Sequence, residues 1–207
     1  MNDPTASTAQ GAATISSPTP VGGGGEGGVV GALGGGGRSA GGASAGGTPK
    51  PLILDLQALG VDLSARILDR KGIEAVNPHR HEMALLDGLV WKSDDNKRGV
   101  AVWNVGDAEF WCRGHFPGKP MVPGVLQVEA GAQLSSYLYN IRFPEPRIAA
   151  FTHIAECSFR NPVTPGATFF LLCEEVKFSP RRFSSRIQGM VDGKITFDAT
   201  INGMAIT

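Results

Sequence analysis

The sequence predicts an α+β fold, an antiparallel sheet wrapped around one long central helix, on three observations. A run of good helix formers without internal proline, residues 125 to about 139, follows a kinked Gly/Pro loop and extends a helix predicted from residue 122. After it come four β-rich runs, 147–159, 168–178, 183–191 and 195–205, many of which alternate apolar with polar side chains. Two further strand-like runs, 83–91 and 98–105, precede it. A helix inserted between early and late strands can bury its apolar side against the sheet they form.

Taken in order, residues 1–50 hold sixteen of the 29 glycines and no Phe, Trp or Tyr. Such a segment buries too little apolar surface to offset its ordering entropy, so it is expected to be a disordered tail, with the folded domain at 51–207. Its glycine runs match G-x-G-x-x-G by chance only, because no hydrophobic strand precedes them and no Gly-Lys-Ser/Thr follows. Residues 52–76 carry apolar side chains in loosely helical spacing, which suggests one or two short helices. Ser93-Asp94-Asp95-Asn96 reads as a hairpin connection, and 106–121 as loop. Pro123 suits the first position of the helix, where its missing N–H has no intrahelical partner. Pro144 and Pro146 block any continuation. In the last strand Phe197, Ala199 and Ile201 alternate with Asp198, Thr200 and Asn202, the period-two signature of a sheet with one covered face. A sheet with a single helix leaves strand edges to pair, so at least a homodimer is expected.

A formal net charge of zero argues against a general nucleic-acid binder. Cys112, Cys157 and Cys173 are odd in number and widely spaced, and read as reduced, buried thiols of a cytoplasmic protein. There is no signal-peptide pattern and no apolar run of the ~18 residues a membrane span needs.

The chemistry concentrates in Gly114-His115-Phe116-Pro117-Gly118-Lys119-Pro120-Met121-Val122-Pro123-Gly124-Val125-Leu126-Gln127-Val128-Glu129-Ala130. An imidazole accepts a proton near neutral pH. Glu129 falls about two turns into the helix among Val, Leu and Ala, where burial is expected to raise its pKa and keep it protonated as a general acid. Gln133, one turn on, can hydrogen-bond the carboxyl. Gly124 sits at the helix start, whose unpaired N–H groups and partial positive charge would stabilise developing negative charge. Pro117, Gly118, Pro120 and Pro123 shape the loop. His79 and His81 flank Arg80, but no acidic or cysteine cluster accompanies them at ligand spacing, so no metal site is expected and a structural or surface role is favoured. The aromatics Phe110, Trp111, Tyr137, Tyr139, Phe169 and Phe170 either line an acyl tunnel or belong to the core.

This stretch closely resembles the 3-hydroxyacyl-acyl-carrier-protein dehydratases of the hotdog fold, the FabZ type. Asn77-Pro78-His79-Arg80 with Met83-Ala84-Leu85-Leu86-Asp87, Phe159-Arg160-Asn161-Pro162-Val163-Thr164-Pro165-Gly166 and the turn Val191-Asp192-Gly193-Lys194 are similar to further motifs of that family, in its order, so the likeness spans roughly residues 60–206. The resemblance implies a cofactor-free lyase that dehydrates a (3R)-3-hydroxyacyl thioester on acyl carrier protein to the trans-2-enoyl thioester. It implies His115 as base, Glu129 as acid, Gln133 orienting it and Gly124 N–H polarising the carbonyl. In the family the histidine and the acid of one site come from different protomers, so a homodimer or a higher oligomer of dimers is implied.

The chain departs from the family at His81-Glu82-Met83, where an aromatic-Pro pattern is usual, at Gly88 in place of a basic residue after Asp87, and at Ala167 in place of an acid. Alternatives are an acyl thioesterase, an isomerising dehydratase, which usually carries Asp where this chain has Glu129, and a non-catalytic acyl-binding protein of the same fold.

Overall fold

A computed structural model of the chain describes residues 50–206; the glycine-rich tail expected to be disordered lies outside them. Its elements are β1 (Leu68–Asp69), α1 (Arg70–Glu74), β2 (Gly88–Lys92), β3 (Arg98–Asn104), α2 (Gly124–Asn140), β4 (Ala149–Phe159), β5 (Thr168–Phe178), β6 (Arg182–Val191) and β7 (Lys194–Ala205). All seven strands form one antiparallel sheet in the order β1-β2-β3-β5-β6-β7-β4. Tight turns explain the hairpins: Asp192 and Gly193 both take positive φ, 49° and 73°, and return β6 into β7. The helix α2 lies across β3, β5, β6 and β7. Ala130, Leu134 and Leu138 of that helix join Trp103, Phe169, Leu171, Ile187, Phe197 and Ile201 in the main core. This is the α+β arrangement expected, one long helix under a curved sheet.

Three expectations are corrected. Pro123 is the N-cap, not the first helical residue, and its carbonyl accepts from Leu126 N and Gln127 N. The strand expected from residue 83 begins only at Gly88, because the intervening backbone is claimed elsewhere. The Gln133 side chain donates to the Met83 carbonyl at 2.7 Å and accepts from Leu85 N at 3.1 Å, while His81–Met83 form a 3₁₀ turn.

The third correction concerns the outer face of the sheet. Of the helices expected over 52–76 only α1 forms. Residues 52–63 instead make a non-helical strap of turns that covers the sheet face opposite α2. Leu52, Ile53, Leu54, Leu56 and Leu59 pack on Val90, Val100, Val102, Leu172 and Met190. Because successive strand residues point to opposite faces, Val100 and Val102 serve this layer while Ala101 and Trp103 serve the main core. Two hydrogen bonds pin the strap, Ile53 N to Gln188 Oε1 at 2.9 Å and Gln188 Nε2 to the Pro51 carbonyl at 3.3 Å. The sheet is covered on both faces here, and the unbroken apolar run of β3 from Val100 to Trp103 is the sequence mark of that.

The strand β4 ends the sheet, so its outer edge has no strand partner among the described residues. It is long and carries exposed Phe151, Ile154 and Phe159, which are 41 %, 47 % and 52 % exposed.

Candidate active site

His115 stands on a loop tied down at both ends. Its N–H donates to the Trp111 carbonyl at 2.8 Å, and its carbonyl accepts from Met121 N at 2.9 Å. Between them Phe116 to Lys119 closes a turn, with Lys119 N donating to the Phe116 carbonyl at 2.9 Å. Pro117 and Gly118 fill the two central places, the second at φ 74°, the conformation for which glycine is suited. The His115–Phe116 peptide is cis, and the two rings stack at 4.1 Å. The imidazole Nδ1 lies 2.9 Å from the Met121 carbonyl. A carbonyl only accepts, so Nδ1 carries the proton and Nε2 is left as the basic nitrogen.

The groove beside His115 has a volume of about 630 Å³ and is walled by Met121 to Val125, Gln127 and the segment Phe159 to Pro162. Gly124, the first residue of α2, has no carbonyl one turn back within the helix, and the positive end of the helix dipole faces this groove. A Cβ on Gly124 would meet the Phe159 ring at 2.7 Å, so only glycine lets that ring close down on the helix start. His115 and the start of α2 at Gly124 thus share one groove.

Glu129 lies on another part of α2, in a small cavity of about 50 Å³ with His79, Gln133, Ser136, the start of β4 and Phe183. Gln133 Nε2 donates to Glu129 Oε1 at 2.9 Å. Both ends of this buried amide are used, and its backbone carbonyl accepts from Asn77 Nδ2 at 2.8 Å, so its orientation is fixed. The His79 Nε2 approaches the same Oε1 at 3.3 Å. The raised pKa expected for Glu129 is not found. Burial does push it up, but hydrogen bonds from His79 and Gln133 and the charge of His79 outweigh this and hold it below the usual value.

His115 and Glu129 therefore line different cavities of one chain. His79, for which the sequence favours a structural or surface role, contacts the Glu129 carboxyl. Sequence reasoning did not single out Phe159 as a groove wall or Arg160 beside it, whose Nε donates to buried Asp198 at 2.7 Å. The aromatics divide as follows: Trp111, Tyr137, Tyr139 and Phe169 are buried, Phe170 packs against the strap layer and Phe110 is exposed.

A family model described as the FabA-like domain matches residues 77–201, more than half of the chain. The chain belongs to the FabA-like family. Three relatives bear the name 3-hydroxyacyl-[acyl-carrier-protein] dehydratase FabZ. That of Protochlamydia amoebophila is 34 % identical over 134 residues, covering 65 % of this chain and 87 % of the relative. That of Granulibacter bethesdensis is 32 % identical, with 68 % and 84 % covered, and that of Anoxybacillus flavithermus 35 %, with 62 % and 91 % covered. Among solved structures, the dehydratase heterocomplex ApeI:P from Xenorhabdus doucetiae superposes with a TM-score of 0.56 at 14 % identity, covering 65 % of this chain and 91 % of its own. The fold is the hotdog. Within this FabA-like domain the departure at Gly88 has a local explanation. Asp87 is paired with Arg70 of α1, at 2.6 Å, and Arg70 also donates to the Ala84 carbonyl. A side chain at Gly88 would run into the Leu68 carbonyl of β1 at 2.8 Å.

Proposed function

We propose that this FabA-like protein is a hydro-lyase that converts (3R)-3-hydroxyacyl thioesters carried on acyl carrier protein to trans-2-enoyl thioesters. The observation that carries the reading is the groove in which an imidazole with a free Nε2 sits beside the start of α2. The FabZ relatives support the substrate class. His115 Nε2 takes the α-proton while the Gly124 N–H receives the charge that develops on the thioester oxygen. The electron pair left on C2 forms the C2=C3 bond as the C3–O bond breaks. Glu129 supplies the proton with which the hydroxyl departs as water, and Gln133 orients it. The productive state is neutral His115 with protonated Glu129; turnover leaves His115 protonated and Glu129 ionised, and return of that proton from His115 to Glu129 through solvent closes the cycle.

Because the two groups line separate cavities, the reading calls for a second copy of the chain that brings its Glu129 to this groove. Two features support a homodimer through β4: its open edge, and the apolar side chains it exposes. No helix among the described residues is long and apolar enough to cross a membrane. The three cysteines are free, as a cytoplasmic placement asks, but against expectation only Cys173 is buried, Cys112 being half-buried and Cys157 exposed.

The test separates the two proton transfers. His115→Ala should abolish both dehydration and solvent exchange at the α-carbon. Glu129→Gln should cut dehydration by ~10²–10⁴-fold, keep folding, and retain α-exchange because the base is intact. Dehydration by Glu129→Gln near the wild-type rate would refute Glu129 as the acid, and a wild-type protein that dehydrates no 3-hydroxyacyl thioester would restore a thioesterase or binding role.

A further inference from the structure

The Pro-His-Arg motif brings His79 against the carboxyl on α2. The Gln133 amide donates to Oε1 of Glu129 at 2.9 Å, and His79 Nε2 faces the same oxygen at 3.3 Å as its ion-pair partner. Oε2 takes no hydrogen bond from the described residues. The other imidazole nitrogen, Nδ1, is buried with no hydrogen-bond partner among them. With no acceptor for a proton on Nδ1, a neutral ring keeps its proton on Nε2, the nitrogen that faces Glu129.

We propose that His79 is the positioning residue of the acid. Its Nε2–H and the Gln133 amide hold Oε1 and leave Oε2 to carry the proton to the departing hydroxyl. This rests on the dehydratase reading for the identity of the step, and on the contact itself for the role of His79. Among the described residues the cavity contains no other titratable group: α2 supplies Glu129, the loop supplies His79, and β4 and β6 contribute Ala149, Ala150, Phe151 and Phe183. Arg80 points away, its guanidinium bonding the Asn77, His79 and Glu74 carbonyls. The donor stabilises the ionised carboxyl, so removing it moves the Glu129 titration to higher pH.

Carbon-13 NMR of protein labelled at the glutamate side-chain carboxyl reads that titration directly in the full chain, with Glu129→Gln assigning the signal. In His79→Leu the Glu129 signal should titrate at higher pH than in wild type, and the acidic limb of the dehydration profile should move the same way. Although a larger share of Glu129 is then protonated, loss of its positioning should lower the rate at the optimum by up to roughly a hundredfold. His79→Gln, which can place an amide N–H near the Nε2 position, should restore both the titration and most of the rate. If His79→Leu does not fold, His79→Asn, too short to reach Oε1, takes its place with the same expectation. A lowered rate with an unmoved titration would mark a merely structural residue and overturn the proposal. The titration needs no substrate. A shifted titration in an enzyme whose wild type dehydrates nothing would count against the dehydratase reading and for the contact. No shift counts against the contact whatever the activity.

Discussion

Leu54→Ala reports directly on the strap that covers the outer face of the sheet. Leu54 is 2 % exposed and lies among Val90, Val100, Val102, Leu172 and Met190. Truncating a buried leucine to alanine costs about 2–5 kcal/mol, the larger values belonging to sites that cannot collapse into the void. The neighbouring Leu52, Ile53 and Leu56 are only partly buried, and a strap outside the strand ladder can settle inward, which points to ~2–3 kcal/mol. In a domain of this size each kcal/mol moves Tm by ~2–4 °C, so the midpoint should fall by about 4–12 °C. Calorimetry at one fixed protein concentration is the assay, because self-association would add its own concentration-dependent shift. Leu52→Ala, at a half-buried site, should cost about 1 kcal/mol or less. A chain beginning at Lys50 should melt like the full sequence, whereas one beginning at Ser64 should lose more than Leu54→Ala does. If Leu54→Ala melts within about a degree of wild type, the strap is not docked and the second covered face is refuted.

Mixing His115→Ala with Glu129→Gln tests the shared site. Half of a random mixture is hybrid, with one intact site of two, so roughly a quarter of wild-type activity should return; no recovery after demonstrated chain exchange would exclude a site built from two chains. Burial pushes the Cys173 thiol up to about 12, so native protein at pH 8 should leave it unlabelled by a thiol reagent until denaturant is added. Burial of Asp198 opposes its ionisation, but bonds and attraction from Lys50 and Arg160 prevail and hold it below 3.8. A carboxyl depressed on folding contributes stability that is present above its unfolded value and lost as pH falls through the folded one. The margin of wild type over Asp198→Asn in urea should therefore shrink below pH 3.8, and a margin independent of pH would contradict the ion-pair account.

Much of the site was legible because it is local. The Pro117-Gly118 turn follows from the torsions those two residues prefer, and the Glu129–Gln133 contact follows from helical spacing alone. The strands after α2 were readable from alternation and turn residues, and their ends fall within a residue or two of expectation. Where a side chain from far along the chain competes for backbone groups, the local pattern misleads. Residues 83–87 look like a strand, yet Gln133 takes the groups of Met83 and Leu85 that a ladder would have used.

By itself, then, the sequence determined the α+β class, the order of the elements and the grouping of His115, Gly124 and Glu129 on one loop and helix, since each depends on torsions and periodicities a few residues long. Only the tertiary structure decided that the strap covers the second face, that His79 meets Glu129, and that donors outweigh burial and hold the carboxyl below its usual value. It also decided that the carboxyl and the imidazole open into different cavities. The reason is physical: a pKa is a balance between desolvation and specific donors, and which donors arrive is set by strand register and helix packing across the whole domain.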